Sequence, residues 1–322
     1  MTGKTLSDRK PRRGGGTEGT SYQCAGLVKD IRKSNVLKSK DRILFFIQLL
    51  PPALFVIILG ALPLVLIMIW SFWEPTAYWI KPNLTIAAYD KFFTLERYIT
   101  FLKTLRVSFT VTFLALIIGY PIAYFIRKIV NEKYRNVLLF TFIIPFFLSY
   151  IVRVFSLRLI LGRYGVINNV LMWIGLISEP LEGLLFSEIA VHIGLLSSYL
   201  PFMIFPIVLS IERVGESTIE ASQDLGATFF HTLTRVIIPL TKPGIFAGCI
   251  FVFVSSLGST VEWDLLGGVG EFSTPQMLES LMTALKFPSA FAISTMILAI
   301  TMGALLLGFK YARIAELFET LE

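Results

Sequence analysis

The 322-residue chain is 55% hydrophobic and only 16% charged, with a mean hydropathy of +0.72, a balance that no soluble domain of this length needs for its core. Its formal charge of +7 would suit a nucleic-acid binder, but eleven of its 29 Lys and Arg residues fall in the first 42 positions, ahead of any apolar run. A basic stretch beside a first membrane segment is the positive-inside signal, so an all-α integral membrane protein is expected and a nucleic-acid partner is not.

Residues 1–42 are polar, with three consecutive glycines at Gly14, Gly15 and Gly16, and too charged to hold the apolar region of a cleavable signal peptide. They read as a basic cytoplasmic tail. Two conformations fit it: disorder, or a short basic amphipathic helix over Lys29 to Arg42 lying on anionic headgroups.

A hydrocarbon core of about 30 Å needs roughly 20 apolar residues in helical form, and six stretches qualify: 43–72, 107–126, 137–157, 189–211, 244–261 and 291–309. Pro51 and Pro52 mark a break near the start of the first, and Trp70, Trp73, Tyr78 and Trp79 follow it as an aromatic belt. Residues 74–106 mix five Lys or Arg with three acids and are expected outside the bilayer or along its surface. The second span leads into a short basic loop, Arg127, Lys128, Lys133 and Arg135, as a cytoplasmic turn should. Residues 158–187 read as an outer, partly interfacial helix and loop, and 311–322 as a short cytoplasmic C-terminus. Six crossings put both termini, the basic loop and the polar stretch at 212–243 in the cytoplasm.

That polar stretch is the organising element. Glu212, Glu216, Glu220 and Asp224 recur every four residues and would line one helical stripe unless Gly215 interrupts it. Like charges at that spacing are mildly unfavourable, so the stripe is either solvated or meets a cationic partner. Gly226 permits a tight, left-handed turn, and Pro239 removes a backbone donor near the end of the following segment. The pattern is helix, tight turn, helix.

The string Glu220-Ala221-Ser222, then three residues, Gly226, nine residues and Val236-Ile237-Ile238-Pro239 resembles the signature loop of ABC-importer permeases, E-A-A, three residues, Gly, nine residues, I-x-L-P. Ser222, Val236 and Ile238 depart from the commonest residues by small changes. Further strings, Gly119 to Tyr124, Pro145-Phe146, Arg153 to Phe155, Tyr199 to Met203, Pro239 to Ile245 and Asp264 to Gly268, are similar to the spermidine and putrescine branch. The resemblance covers roughly 43–310.

It implies six transmembrane helices of the type I importer-permease kind, a cytoplasmic coupling helix with Glu220, Ala221, Asp224, Gly226 and Pro239 as ATPase-coupling residues, and an inner (plasma) membrane location. The implied partners are cytoplasmic ATPase subunits, a second permease subunit (a distinct homologue), an extracytoplasmic solute-binding protein and membrane lipids. The solute expected is a polyamine. An opine, an aminophosphonate or another small solute is the alternative within the class, and an ion-coupled secondary carrier the alternative outside it.

No GxxxxGK[ST] phosphate loop occurs in the chain, so ATP is expected on the partner subunit, with no cofactor here and no enzymatic activity. Cys24, Cys249, His192 and His231 have no metal-ligand spacing, and structural roles are expected for both histidines. Ionisable groups at membrane depth are functional candidates by default. Glu262 and Asp264 close the fifth span with Trp263 between them, and carboxylates beside an aromatic face would suit a polyamine. The other reading is that both acids reach the interface. Arg153 would repel a cation and is expected to pair internally or reach the interface.

Overall fold

The computed structural model describes residues 48, 50–76, 80–268 and 270–312, without the side chains of 75, 80 and 309–312. The expected basic tail, Tyr78 and Trp79 of the aromatic belt, and the C-terminal segment beyond 312 lie outside these residues. The chain divides into two units, one ending at Leu66 and one beginning at Ile67.

In the first unit the described residues form most of helix α1, Leu50–Trp70, and none of that apolar helix is buried. It is apolar all round, as a helix solvated by lipid or by other membrane helices should be. A π turn at Ile57–Ala61 interrupts its ladder.

The second unit continues from the end of α1 into a hairpin of strands β1, Trp73–Pro75, and β2, Ile80–Leu84, paired antiparallel with Glu74 opposite Lys81. A short helix α2, Ala87–Phe92, precedes α3, Leu95–Tyr124, which ends in a π turn at Phe125–Ile129. The structure adds detail to the expectation for 74–106. The segment holds a hairpin, and its last third is helix continuous with the second span. The charges of that extension are accommodated by pairing, Lys103 with Glu271 and Arg106 with Glu188. Thirty residues of α3 make about 45 Å of helix, longer than the hydrocarbon core, so the charged turns stand beyond it.

The third span is broken. Helix α4, Glu132–Ile143, passes into a 3-10 turn at Ile144–Phe147, and α5, Tyr150–Leu161, with α6, Val166–Trp173, leaves at 96°. Pro145 within the 3-10 turn lacks a backbone donor, the common cause of such a bend. Helix α7, Glu188–Glu212, is the fourth span. It is followed by α8, Glu216–Asp224, and by α9, Phe229–Leu240, which meets α10, Lys242–Leu257, at 68°. Two short helices not anticipated from the sequence, α11, Val261–Leu266, and α12, Thr274–Thr283, lead to α13, Phe287–Ala312. Four helices are long and apolar enough to cross a membrane, or six when each bent pair is one span.

Helices α3, α7 and α10 form the core, with Val111, Ala115, Ile204, Ile207 and Val252 buried in one cluster. Between membrane helices dispersion and close fit replace the hydrophobic drive, which favours small residues at contacts. Met203 of α7 shows how this works. A Cβ on Gly119 of α3 would lie 3.0 Å from Met203 Cγ, and one on Gly248 of α10 would lie 2.8 Å from its sulfur. The methionine is wedged between two glycine faces.

A second cluster joins Phe92, Phe101, Leu281 and Ile293, and a third joins Val154, Leu161, Ala190 and Leu266, tying α5 and α11 to the first turns of α7. Trp70 meets Trp73 and Phe291 with ring centroids 6.2 and 5.7 Å away.

Candidate functional site

The signature stretch folds as a helix, a turn and a helix. Gly215 does interrupt the acidic stripe: its extended backbone (φ −60°, ψ 144°) separates α7 from α8. The four acids then have different surroundings. Glu212 pairs with Arg127 at 3.0 Å and Glu216 with Lys128 at 2.7 Å, so the basic loop after α3 supplies the cations for the first half. Glu220 and Asp224 are exposed and make no ion pair among the described residues. Lys128 also donates to the Val214 carbonyl at 3.1 Å. Both charged ends of this anchor hold the start of α8 against the end of α3.

Helix α8 ends in a Schellman motif. Gly226 has φ +81°, its N–H bonds to the Gln223 carbonyl at 2.8 Å, and the Ala227 N–H reaches the Ser222 carbonyl at 3.1 Å. Across the turn, Ser222 Oγ lies 2.9 Å from Thr232 Oγ1 while donating to the Ile219 carbonyl. Ser222, the residue that departs from the E-A-A pattern, is therefore the one that fastens the two helices. Thr228 caps α9 through the backbone N–H of His231, and His231 Nδ1 lies 3.1 Å from Thr228 Oγ1. Pro239 is exposed near the end of α9.

Three large apolar side chains stand on the outer surface of this loop. Leu225 is 90% exposed, Phe230 70% and Phe229 60%. Phe229 is partly engaged within the chain, edge-on to Tyr124 at 5.8 Å. A rigid helical turn carrying bare aromatic and aliphatic side chains beside two unpaired acids has the composition of a protein-docking surface.

The acids at the end of the fifth span part company. Glu262 is fully buried, and Trp263, 2% exposed, turns into the main core with its indole N–H unpartnered. Asp264 is exposed and accepts from the Gln276 amide of α12. One cannot be reached from the surface beside the other, so the three residues do not make one pocket. Asp264 instead borders an open cleft of about 520 Å³ with Phe272, Gln276, Glu279 and Thr283.

Glu262 sits where three elements meet. Its Oε2 accepts from the hydroxyls of Tyr150 on α5 and of Ser259, the Tyr150 hydroxyl is 3.1 Å from that of Tyr199 on α7, and Oε1 has no partner. Gly194 leaves the space for it, since a Cβ there would lie 3.1 Å from Glu262 Cγ. Arg153 turns inward, its guanidinium 5.2 Å from the centre of the Phe146 ring and 5.5 Å from that of Tyr150, with a donor 3.4 Å from the Pro145 carbonyl. His192 Nδ1 stays within its own helix, 2.7 Å from the Glu188 carbonyl. Tyr150 and Ser259 carried no signal in a single sequence, and Tyr199 entered only as part of a string. Helix α12 did carry one, because Ser273, Pro275 and Gln276 spell the capping box that the structure contains.

Broken and continuous apolar helices long enough to cross a membrane, joined by a structured polar loop, define a multi-pass membrane protein. Residues 112–316 match the family model described as binding-protein-dependent transport system inner membrane component, and the chain belongs to that family.

Curated relatives include the spermidine/putrescine transport system permease protein PotB of Haemophilus influenzae, 38% identical over 67% of this chain and 74% of the relative. That of Escherichia coli is 34% identical over 72% of this chain and 83% of the relative. A solved structure of a bacterial alginate ABC transporter in complex with an alginate pentasaccharide-bound periplasmic protein superposes with a TM-score of 0.62 at 19% identity, covering 90% of this chain and 98% of that one. This likeness is one of fold. The protein is thus a multi-pass membrane protein, the permease subunit of an ABC importer with the type I fold.

Proposed function

We propose that this permease moves a polyamine such as spermidine or putrescine, driven by ATP hydrolysed on a separate subunit. The observation that carries the reading is 34–38% identity to spermidine/putrescine permeases over two thirds or more of the chain. A fully buried carboxylate within the bundle, Glu262, supports it, because a charge at that depth is costly unless it serves a cationic partner.

In this reading the loop around Glu220, Ala221, Asp224 and Gly226, closed by Pro239, docks in the ATPase and faces the cytoplasm together with the basic loop and both termini. Leu225 and Phe230 supply apolar contact area, Glu220 and Asp224 the charge. ATP-driven closure of the ATPase pair pulls on α8, and the Lys128 and Arg127 anchors pass that pull to α3 and α7. An extracytoplasmic binding protein delivers the solute at the other end, and a second permease, a distinct homologue, completes the path.

The test is uptake of labelled spermidine by proteoliposomes containing this chain with its partner subunits, with and without internal ATP, challenged by unlabelled putrescine and by neutral and anionic solutes. ATP-dependent uptake blocked by polyamines alone is the expected result. ATP hydrolysis without amine uptake would retain the importer and discard the polyamine, turning the search to opines and aminophosphonates. Uptake driven by an ion gradient without the ATPase would make the chain a secondary carrier.

A further inference from the structure

Glu262 is the one fully buried acid among the described residues, and the way it is held is unusual for a structural carboxylate. No cation pairs with it among those residues. Neutral hydroxyls from Tyr150 and Ser259 occupy one oxygen, and the other oxygen is buried and empty-handed. Arg153, a half-buried cation beside this cluster, lies over the rings of Phe146 and Tyr150 and forms no ion pair among the described residues. A carboxylate kept only as a structural anchor would be expected to have both oxygens satisfied. This one keeps an acceptor in reserve.

The surroundings supply an approach. Tyr199, whose hydroxyl touches that of Tyr150, is 6.3 Å from Phe202, and Phe202 is 5.2 Å from Phe146 and 6.4 Å from Phe251. Phe251 is 57% exposed and Phe202 37%, whereas Glu262 is at 0%, so a row of packed rings joins the surface of the bundle to the hydroxyl of Tyr199, which leads through Tyr150 to the carboxylate. Aromatic faces attract ammonium groups and accept methylenes without demanding a fixed geometry.

We propose that Glu262 is an ammonium subsite inside the permease. Its carboxylate is held by the hydroxyls of Tyr150 and Ser259 when no solute is present and is handed to a terminal ammonium group of an alkylamine arriving along the Tyr199, Phe202 and Phe251 faces. This rests on the polyamine reading above. Exchange of hydroxyl donors for an ammonium replaces neutral hydrogen bonds by charge-assisted ones, and the hydroxyls, which rotate freely about their C–O bonds, re-form their bonds as the amine leaves. The site is therefore reversible, as a transit site must be. Its position also suits coupling: Gly194, against which Glu262 packs, and Glu212, where the docking loop begins, lie on the same helix α7, on the order of 27 Å apart at 1.5 Å per residue.

The test uses the complete importer in proteoliposomes with internal ATP, labelled spermidine and putrescine as probes, and the variants Glu262→Gln, Glu262→Asp and Tyr150→Phe, each checked for assembly by size-exclusion chromatography. Glu262→Gln should raise KM for both amines at least tenfold. Tyr150→Phe removes the donor that the ammonium must displace and should lower KM; a KM that is unchanged or raised in this variant counts against the exchange. A structural cluster would instead make the two variants fail alike, with a matching loss of thermal stability, and that result overturns the proposal.

So does a Glu262→Gln importer whose KM stays within twofold of the unmodified one. Where Glu262→Gln does not assemble, Glu262→Asp, which keeps the charge but withdraws it by one methylene, should raise KM without lowering the maximal rate by the same factor; a maximal rate that falls by as much as KM rises, or falls with KM unmoved, would count against the subsite. If the unmodified importer takes up neither amine, the polyamine reading falls and the subsite with it. Amine uptake that is indifferent to Glu262 removes the subsite alone.

Discussion

Lys128 Nζ bonds both Glu216, at 2.7 Å, and the Val214 carbonyl, at 3.1 Å, so the turn that ends α3 grips the first turn of α8. The lysine side chain is 8% exposed and the glutamate 72%. An exposed partner contributes little to an ion pair, whereas a carbonyl that loses its donor costs about 1–3 kcal/mol. Lys128→Met should therefore reduce ATP-driven uptake far more than Glu216→Gln does, while the ATPase still co-purifies. Equal effects of the two variants would place the anchor in the charge pair alone.

Gly226 is constrained by its backbone. A Cβ placed there would have no atom within 4 Å, yet the φ of this residue is +81°. A left-handed conformation costs an ordinary L-residue roughly 1–2 kcal/mol, with Asn more tolerant. Co-purification of the ATPase and uptake should fall in the order Gly, Asn, Ala, Val, and Gly226→Asp should lose more than Gly226→Asn because it adds charge to the docking face. Hydrogen exchange over 216–240 should rise in the same order.

Leu225 and Phe230 project from the loop, and Phe229 is shared with Tyr124. Apolar anchors of this size that become buried at an interface are worth about 2 kcal/mol or more. Phe230→Ala and Leu225→Ala should each weaken ATPase binding at least tenfold, as measured by titration in detergent, with the permease melting temperature unmoved. Phe229→Ala should lower both.

Met203 lies between Gly119 and Gly248. Gly248→Ala forces a Cβ against the methionine sulfur and should cost about 1–3 kcal/mol through overpacking. Met203→Ala alone leaves a cavity costing about 2–5 kcal/mol. In the double variant the added methyl partly fills that cavity, so the combined loss of melting temperature should be smaller than the sum of the two.

Much of this protein is written in local sequence. The apolar runs forecast every long span, because a helix that crosses lipid must satisfy its own backbone and carry apolar side chains continuously. The turn of the signature loop is equally legible: Gly226 marks a left-handed conformation that few other residues adopt. Charge is a poorer guide to location. Residues 95–106 look like surface and are mostly exposed or half-buried, yet they continue the second helix, with Lys103 and Arg106 paired to Glu271 and Glu188, distant in sequence.

The sequence by itself determined the class, the long spans and the helix, turn and helix of the signature loop, since hydropathy and turn chemistry act over a few residues. Only the tertiary structure decided the surroundings of each acid. It split the stripe at Gly215, gave Glu212 and Glu216 to the basic loop and left Glu220 and Asp224 open. It separated Glu262 from Asp264, two positions apart in the chain, sending one into the bundle and the other to the surface. On a helix, residues two apart point in nearly opposite directions, and the partners Tyr150, Tyr199 and Gly194 come from helices that only packing brings together.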